Sequence, residues 1–433
     1  MTLRASLLIA IAALSSARGV CAQVPILSLQ EAIQQAVGNN FGLDLARDQT
    51  DAAAANRAGG VGAFLPSANA NLSHGGPLPP DGTAPATSVG ASANWIVFDG
   101  FQNYNGYRRL QSQEKAARLQ ERLALESLLE TVVVSYYDLV QQKQRLTAIN
   151  ELLAVSLERA RLAQAKLEVG AGSKLDQLQS LADLNEDSSA YLNQNVSLQR
   201  AKVRLNQVLA RDPALDFDVA DSIPLETSLP LDAWRKGLSE NNASIAEARA
   251  QKTSSAFSVG EARGRWLPSV GAGVSYVANP SALNSSRADA GRDGFAYSVN
   301  LSVPLFDRLA TPTAVRQAKL NLRGDETRLR QAESQAAADF EQARRQYETS
   351  LRQTQLEERN LQVARLQAEA AQERYKLGAS SPLEFRDAQT RLLDAEGRLI
   401  TARQSAKQSE AALQRLAGVL VKQAPQAAPA GGK

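Results

Sequence analysis

Asn39-Asn40-Phe41-Gly42-Leu43-Asp44-Leu45-Ala46-Arg47 returns later in the chain as Asn241-Asn242-Ala243-Ser244-Ile245-Ala246-Glu247-Ala248-Arg249. The register holds outward from there. Leu29 falls on Leu231, Gln49 on Gln251, and Leu65-Pro66-Ser67 on Leu267-Pro268-Ser269. Beyond the first long loop, Phe98-Asp99 returns as Phe306-Asp307, Val169-Gly170-Ala171 as Leu377-Gly378-Ala379, and Leu205 as Leu413. The offset is 202 residues before that loop (39 to 241) and 208 after it (98 to 306). One six-residue length change therefore accounts for the whole difference. Each copy is too long for a solenoid repeat and reads as a complete supersecondary unit built twice. The first repeat is placed at 23–220 and the second at 221–420, each with a helix, two strands and a long helical hairpin.

The ends carry processing signals. Residues 1–22 read as a secretory signal peptide: Arg4, then the apolar run Leu7 to Leu14, then the small-residue site Val20-Cys21-Ala22. Cleavage after Ala22 would remove the single cysteine. The other reading of Cys21, a lipidated N-terminus, meets a poor context in Arg18 and Val20. Residues 421–433, rich in Ala, Pro, Gln and Gly, read as a disordered tail.

Composition excludes several function classes. The formal net charge is +3, and losing Arg4 and Arg18 would leave +1, which is no nucleic-acid footprint. One histidine, His74, cannot build a multi-histidine metal site, and it reads as a surface loop residue. No phosphate-binding Gly-x-x-x-x-Gly-Lys-Ser/Thr occurs, and no nucleophile is paired with a base, so no enzyme, cofactor or metal is expected.

Proline placement separates the elements. None lies between Pro85 and Pro213, between Pro312 and Pro382, or between Pro382 and Pro425. Because proline interrupts helix interiors, these gaps admit helices over Phe101–Glu168, Leu175–Ala210, Thr313–Lys376 and Leu383–Ala417. Shorter helices are expected over Asn40–Ala63 and Asn242–Arg265. At 1.5 Å per residue the long helices span about 100 Å and their two partners about 55 and 36 Å. Two short helices stacked end to end thus match one long one, as a wall of paired antiparallel helices requires. Leu119, Leu123, Leu139, Leu146, Ile149 and Leu153 recur at coiled-coil-like spacings.

Between the short and long helices, each half carries two alternating segments: 67–73 and 89–97, then 269–276 and 295–303. They approach the roughly nine to eleven residues of a tilted membrane strand. Four strands cannot close a barrel, because the smallest membrane barrels have eight. The small polar side chains Ser67, Asn69, Asn71, Ser92, Asn94, Ser298 and Asn300 suit a wet interior, which favours three copies and twelve strands.

This order resembles the TolC-type outer-membrane efflux family, nearly end to end over the mature chain. The resemblance rests on the doubled Leu-Pro-Ser, Phe-Asp and hydrophobic-Gly-Ala motifs in their fixed order. It implies a mixed α+β membrane protein: a trimeric 12-stranded β-barrel, four strands per chain, continued by a long α-helical coiled-coil barrel through the periplasm. The function it implies is the exit duct of a tripartite efflux or type I secretion system. The implied partners are two further copies of the chain, a periplasmic adaptor (membrane fusion) protein, an inner-membrane pump reached through that adaptor, and outer-membrane lipid.

The resemblance also assigns residues. Val169, Gly170 and Ala171, with Leu377, Gly378 and Ala379, would form the tip that docks the adaptor. Glu384 and Asp387 match an acidic constriction, and Asp176 and Tyr375 match positions that hold the tip closed. The family's best-known members carry an arginine two residues after the second glycine; here Ser380 stands in that place, and Arg386 is the nearby charge that could replace it. Apart from the resemblance, the residues also allow a periplasmic coiled-coil adaptor or scaffold without membrane strands.

Overall fold

The computed structural model describes residues 25–75, 86–278 and 294–423. The signal peptide over 1–22, the loop segments 76–85 and 279–293, and the tail from 424 lie outside the described residues.

The elements follow in a doubled order. The first series is β1 (Ile26–Leu27), α1 (Leu29–Asn39), α2 (Phe41–Gly60) with a 3-10 turn (Val61–Phe64), β2 (Ser67–Gly75), β3 (Ala86–Phe98), α3 (Gln102–Glu168) and α4 (Lys174–Val208). The second is β4 (Asp218–Val219), α5 (Leu231–Asn241), α6 (Ala243–Gly264), β5 (Ser269–Ala278), β6 (Gly294–Ser302), α7 (Ala310–Lys376) and α8 (Pro382–Leu416), closed by α9 (Leu420–Gln423). The copies agree in length: α3 and α7 have 67 residues each, α4 and α8 have 35. The single turn α9 starts on the last residue given to the second repeat and runs into the segment read as tail, so 421–423 are helical.

Two short helices were not expected from sequence. Asn40 and Asn242 each hold an extended backbone conformation and end α1 and α5. The Asn40 carboxamide accepts from the amides of Gly42 and Leu43, and Asn242 accepts from Ser244 and Ile245. The Asn-Asn pair is thus the break and the cap between two helices, not the first turn of one. α7 likewise starts three residues before the expected Thr313. It takes Pro312 into its first turn, where the missing N–H has no intrahelical partner to lose. The Phe-Asp motif has a local role as well. Asp99 accepts from the Asn103 amide and Asp307 from the Thr311 amide, both at 2.6 Å, so each starts a long helix.

The described chain divides into two compact units that cut across the repeats: 1–35, 132–224 and 356–404 form the first, and 36–131, 225–355 and 405–433 the second. In the first, the two-residue strands β1 and β4 pair in parallel, and the Tyr136 hydroxyl donates to the Leu27 carbonyl at 3.0 Å. Its helices bury alanines, among them Ala160, Ala163, Ala201, Ala395 and Ala402, so backbones approach closely. In the second, Ile245, Phe340, Tyr347 and Leu413 form a core cluster of large side chains.

The second unit also holds the sheet, in the order β2-β3-β5-β6 and antiparallel throughout. Its register sorts the side chains by face. Ala70, Ala91, Tyr276 and Phe295 stand in one cross-strand row, with Ala68, Ala93, Val274 and Tyr297 in another. Asn69, Ser92 and Ser275 alternate with them on the opposite face. Phe295, Tyr297 and Val299 are 82, 87 and 71% exposed, so the apolar face is uncovered in the single chain. His74 is not in a loop: it sits on β2, with its Nδ1 2.8 Å from the Thr87 hydroxyl of β3. No described helix is long and apolar enough to cross a membrane.

Candidate functional site at the helix-hairpin tips

Both hairpin turns lie in the first unit and close in the same way. Gly170 and Gly378 have φ of 73° and 74°. The Ala171 amide donates to Lys166 O at 2.8 Å and the Gly170 amide to Leu167 O at 3.1 Å; Ala379 and Gly378 repeat this to Arg374 O and Tyr375 O. This is the paired bonding of a Schellman end, in which a left-handed residue satisfies the last carbonyls. A Cβ on either glycine would meet nothing within 4 Å, so the backbone angle alone demands glycine. Val169 and Leu377 are 77 and 81% exposed beside these turns.

The returning helices are capped alike. The Ser173 hydroxyl accepts from the Asp176 amide at 3.0 Å, and the Ser381 hydroxyl accepts from the Glu384 amide at 3.2 Å. Asp176 and Glu384 therefore both sit in a first helical turn, where a carboxylate faces the positive end of the helix. The Glu384 carboxylate also accepts from the Ser380 hydroxyl at 2.8 Å, and that bond holds its pKa below the usual glutamate range. Ser380 thus anchors the acid through a neutral donor. Asp387 lies one turn on, exposed, and pairs with Arg391 at 3.0 Å.

Tyr375 does not face solvent alone. Its ring stacks on the buried Phe385, centroids 5.2 Å apart at 13°, and the Lys166 ammonium lies 5.1 Å from the ring centroid. Burial pushes the Tyr375 phenol pKa up, with Arg159 opposing and Asp176 adding to the shift. Tyr375 thereby ties α7 to α8 and to the end of α3.

The strongest cluster in the unit is one that sequence reasoning touched only through Arg386. That guanidinium, on α8, donates two bonds of 2.8 Å to Asp187 on α4. Asp187 also accepts from Ser156 on α3, and Arg159 pairs with Asp183 one helical turn away. The side chains of Arg386 and Asp187 are 16 and 4% exposed. The hydrogen bonds to Asp187 raise the Arg386 pKa, while burial, followed by the charge of Arg386, lowers that of Arg159. Ser156 and Arg159 meet Asp187 and Asp183 inside the first hairpin, and the contact between hairpins adds Arg386. Among the described residues no group of His, Cys, Asp and Glu could hold a metal ion.

Comparison with known proteins identifies the family and the fold. The family model described as outer membrane efflux protein matches residues 32–211 and again 234–419. The chain is 25% identical over 336 residues to the outer membrane efflux protein BepC of Brucella suis biovar 1, covering 74% of this chain and 71% of that one. It is 27% identical over 242 residues to the protein CyaE of Bordetella pertussis, covering 55% of this chain and about half (51%) of that one. In fold it resembles the outer membrane protein VceC of Vibrio cholerae, with a TM-score of 0.75 at 20% identity over 90% of this chain and 96% of that one. With the family model matching both halves, over a four-stranded sheet joined to paired long helices, the chain belongs to the outer membrane efflux protein family, as an outer-membrane export channel and not an enzyme.

Proposed function

We propose that three copies close a twelve-stranded barrel in the outer membrane and continue it as a helical tunnel whose hairpin tips meet an adaptor in the periplasm. The observation that carries this reading is the four-stranded sheet. Its outer strands β2 and β6 have no further partner among the described residues. In lipid, each unsatisfied backbone group costs several kcal/mol, so open edges are not tolerated. Copies of the sheet placed edge to edge remove them. The apolar face then meets lipid, and the Asn/Ser/Gly face lines a wet lumen.

At the hairpin turns, Val169, Gly170, Ala171, Leu377, Gly378 and Ala379 form a small-residue tip with exposed apolar corners, suited to a helical adaptor. Glu384 and Asp387 supply two acids per chain, hence six around a threefold axis, a ring that attracts cations and repels anions. Asp176 and Tyr375 brace the turns behind them. The two repeats, 23–220 and 221–420, each bring two strands and one helical hairpin to this assembly. Transport energy comes from an inner-membrane pump joined through the adaptor.

Single-channel recording in a planar bilayer tests the constriction. Glu384→Ala with Asp387→Ala should lower cation selectivity and weaken block by divalent or trivalent cations. Unchanged selectivity would remove these two residues from the pore.

A further inference from the structure

The duplication places an unfilled joint beside a filled one. Within the second unit, α3 of the first repeat packs against α6 of the second. Arg109 donates to Glu261 at 3.0 Å, and Gln120 to Glu247 at 3.3 Å. The Arg108 guanidinium lies 5.3 Å over the Phe257 ring, and an ideal Cβ on Gly260 would meet Asn105 at 2.6 Å. Arg122 donates to the carbonyl of Asn241, the last residue of α5, at 3.0 Å.

α7 is the copy of α3 and α2 is the copy of α6, but these two do not form the matching joint. α2 leads into β2 and α7 follows β6, and those strands are the opposite edges of the sheet. The second joint therefore needs another copy of the chain.

The two free faces are complementary in charge. On α7, Arg316, Arg323 and Arg330 recur every seven residues and fall within about 40° around the helix. They are exposed, and no carboxylate pairs with them among the described residues. The buried Ala318, Asp325, Ala336 and Phe340 occupy the other side of the same helix. On α2, Asp44, Asp48 and Asp51 share an arc of about 60°, away from the buried Leu43 and Thr50. Asp44 pairs with Arg47 of its own helix, and no cation pairs with Asp48 or Asp51 among the described residues.

The filled joint supplies the register. Shifting α3 by 208 and α6 by 202 turns Asn105·Gly260 into Thr313·Ala58, Arg108·Phe257 into Arg316·Ala55, and Arg122·Asn241 into Arg330·Asn39. In that register Arg323 falls between Asp48 and Asp51, and Arg330 between Asn39 and Asp44. The acids are peculiar to this joint, since their counterparts on α6 are Ala246, Ala250 and Thr253. Arg122, the counterpart of Arg330, is already paired with Glu126 at 2.8 Å, whereas position 334, the counterpart of Glu126, is a serine.

We infer that the arginine row of α7 in one copy clamps the aspartate row of α2 in the next, and that this clamp sets the register in which the chains join. The inference rests on the proposed trimer and adds its residue-level contact. A test uses the full-length chain with Cys21→Ser. Ala58→Cys together with Thr313→Cys should yield covalent dimers and trimers on a denaturing gel after mild oxidation, and either cysteine alone should not. Moving the second cysteine one heptad, to Leu320→Cys, should abolish the bond. In parallel, Arg323→Glu with Arg330→Glu should shift the detergent-extracted protein from trimer towards monomer in native mass measurements, and adding Asp48→Arg with Asp51→Arg should restore it. A wild-type trimer that cross-links only in the shifted register, or that tolerates the charge reversal unchanged, overturns the clamp and leaves the trimer standing. A monomeric wild type overturns both.

Discussion

At the scale of single residues, the informative positions are those where a charge has left water. Asp187 accepts from Ser156 and from both terminal nitrogens of Arg386, and its side chain is 4% exposed. Removing one member of a buried pair strands the other, which costs about 3–5 kcal/mol, whereas removing both costs much less. Arg386→Ala should therefore lower the urea midpoint of the detergent-solubilised protein strongly, and Arg386→Ala with Asp187→Ala should recover most of the loss. In bilayers the single variant should raise the open fraction, since the pair ties the second hairpin to the first. Equal destabilisation by the single and double variants would mean that the pair is not coupled. Glu384 behaves differently because it is exposed. Its folded pKa is lowered, chiefly by the Ser380 hydroxyl. Its contribution is thus fully present above the ordinary glutamate pKa and is lost as pH falls through the lowered folded value. Cation selectivity should accordingly persist to more acidic pH in the wild type than in Ser380→Ala, which removes the donor. Identical pH profiles would show that the hydroxyl does not set the titration. Glu384 and Asp387, three apart on one helix face, were singled out by the family resemblance. The pairing of Asp187 with Arg386 was not legible in sequence, because the two residues lie 199 positions apart and belong to different repeats.

At the scale of elements, helices were easier to read than their joints. Proline gaps delimited the four long helices to within a few residues, since one proline inside a helix removes a hydrogen bond and adds a clash. The helices α1 and α5 escaped notice. The Asn-Asn pair reads, in sequence, as the start of one helix, and the end of a preceding helix at the same residue leaves no separate signal. Strand alternation was also visible, but its consequence needed the register. Only the pairing of Tyr276 with Phe295 and of Val274 with Tyr297 shows that apolar residues of separate strands share one face. That face carries a prediction. Val299→Arg on the apolar side should cost about 2–4 kcal/mol if it lies near the bilayer midplane, and it should reduce insertion into the outer membrane. Ser298→Arg, its neighbour on the polar side, should insert normally and change conductance. Equal insertion of both variants would contradict the assignment of lipid and lumen faces.

At the scale of the whole molecule, the duplication explains why one chain is not a finished object. Each repeat brings two strands and one helical hairpin, and two repeats bring a sheet that still has edges. The joint between α3 and α6 is made inside the chain, and its counterpart is left for a second copy. By itself the sequence determined the doubled element order, the lengths of the long helices, the glycine-ended turns and the export-channel family. The helices and turns depend on local periodicity and backbone preference, and the doubled order and the family on motifs repeated in fixed register along the chain. The tertiary structure alone decided which charges meet. Asp187 finds Arg386, and Arg316, Arg323 and Arg330 find no acid among the described residues. Such pairings depend on which faces the packing brings together, and a linear pattern records a face but not its neighbour.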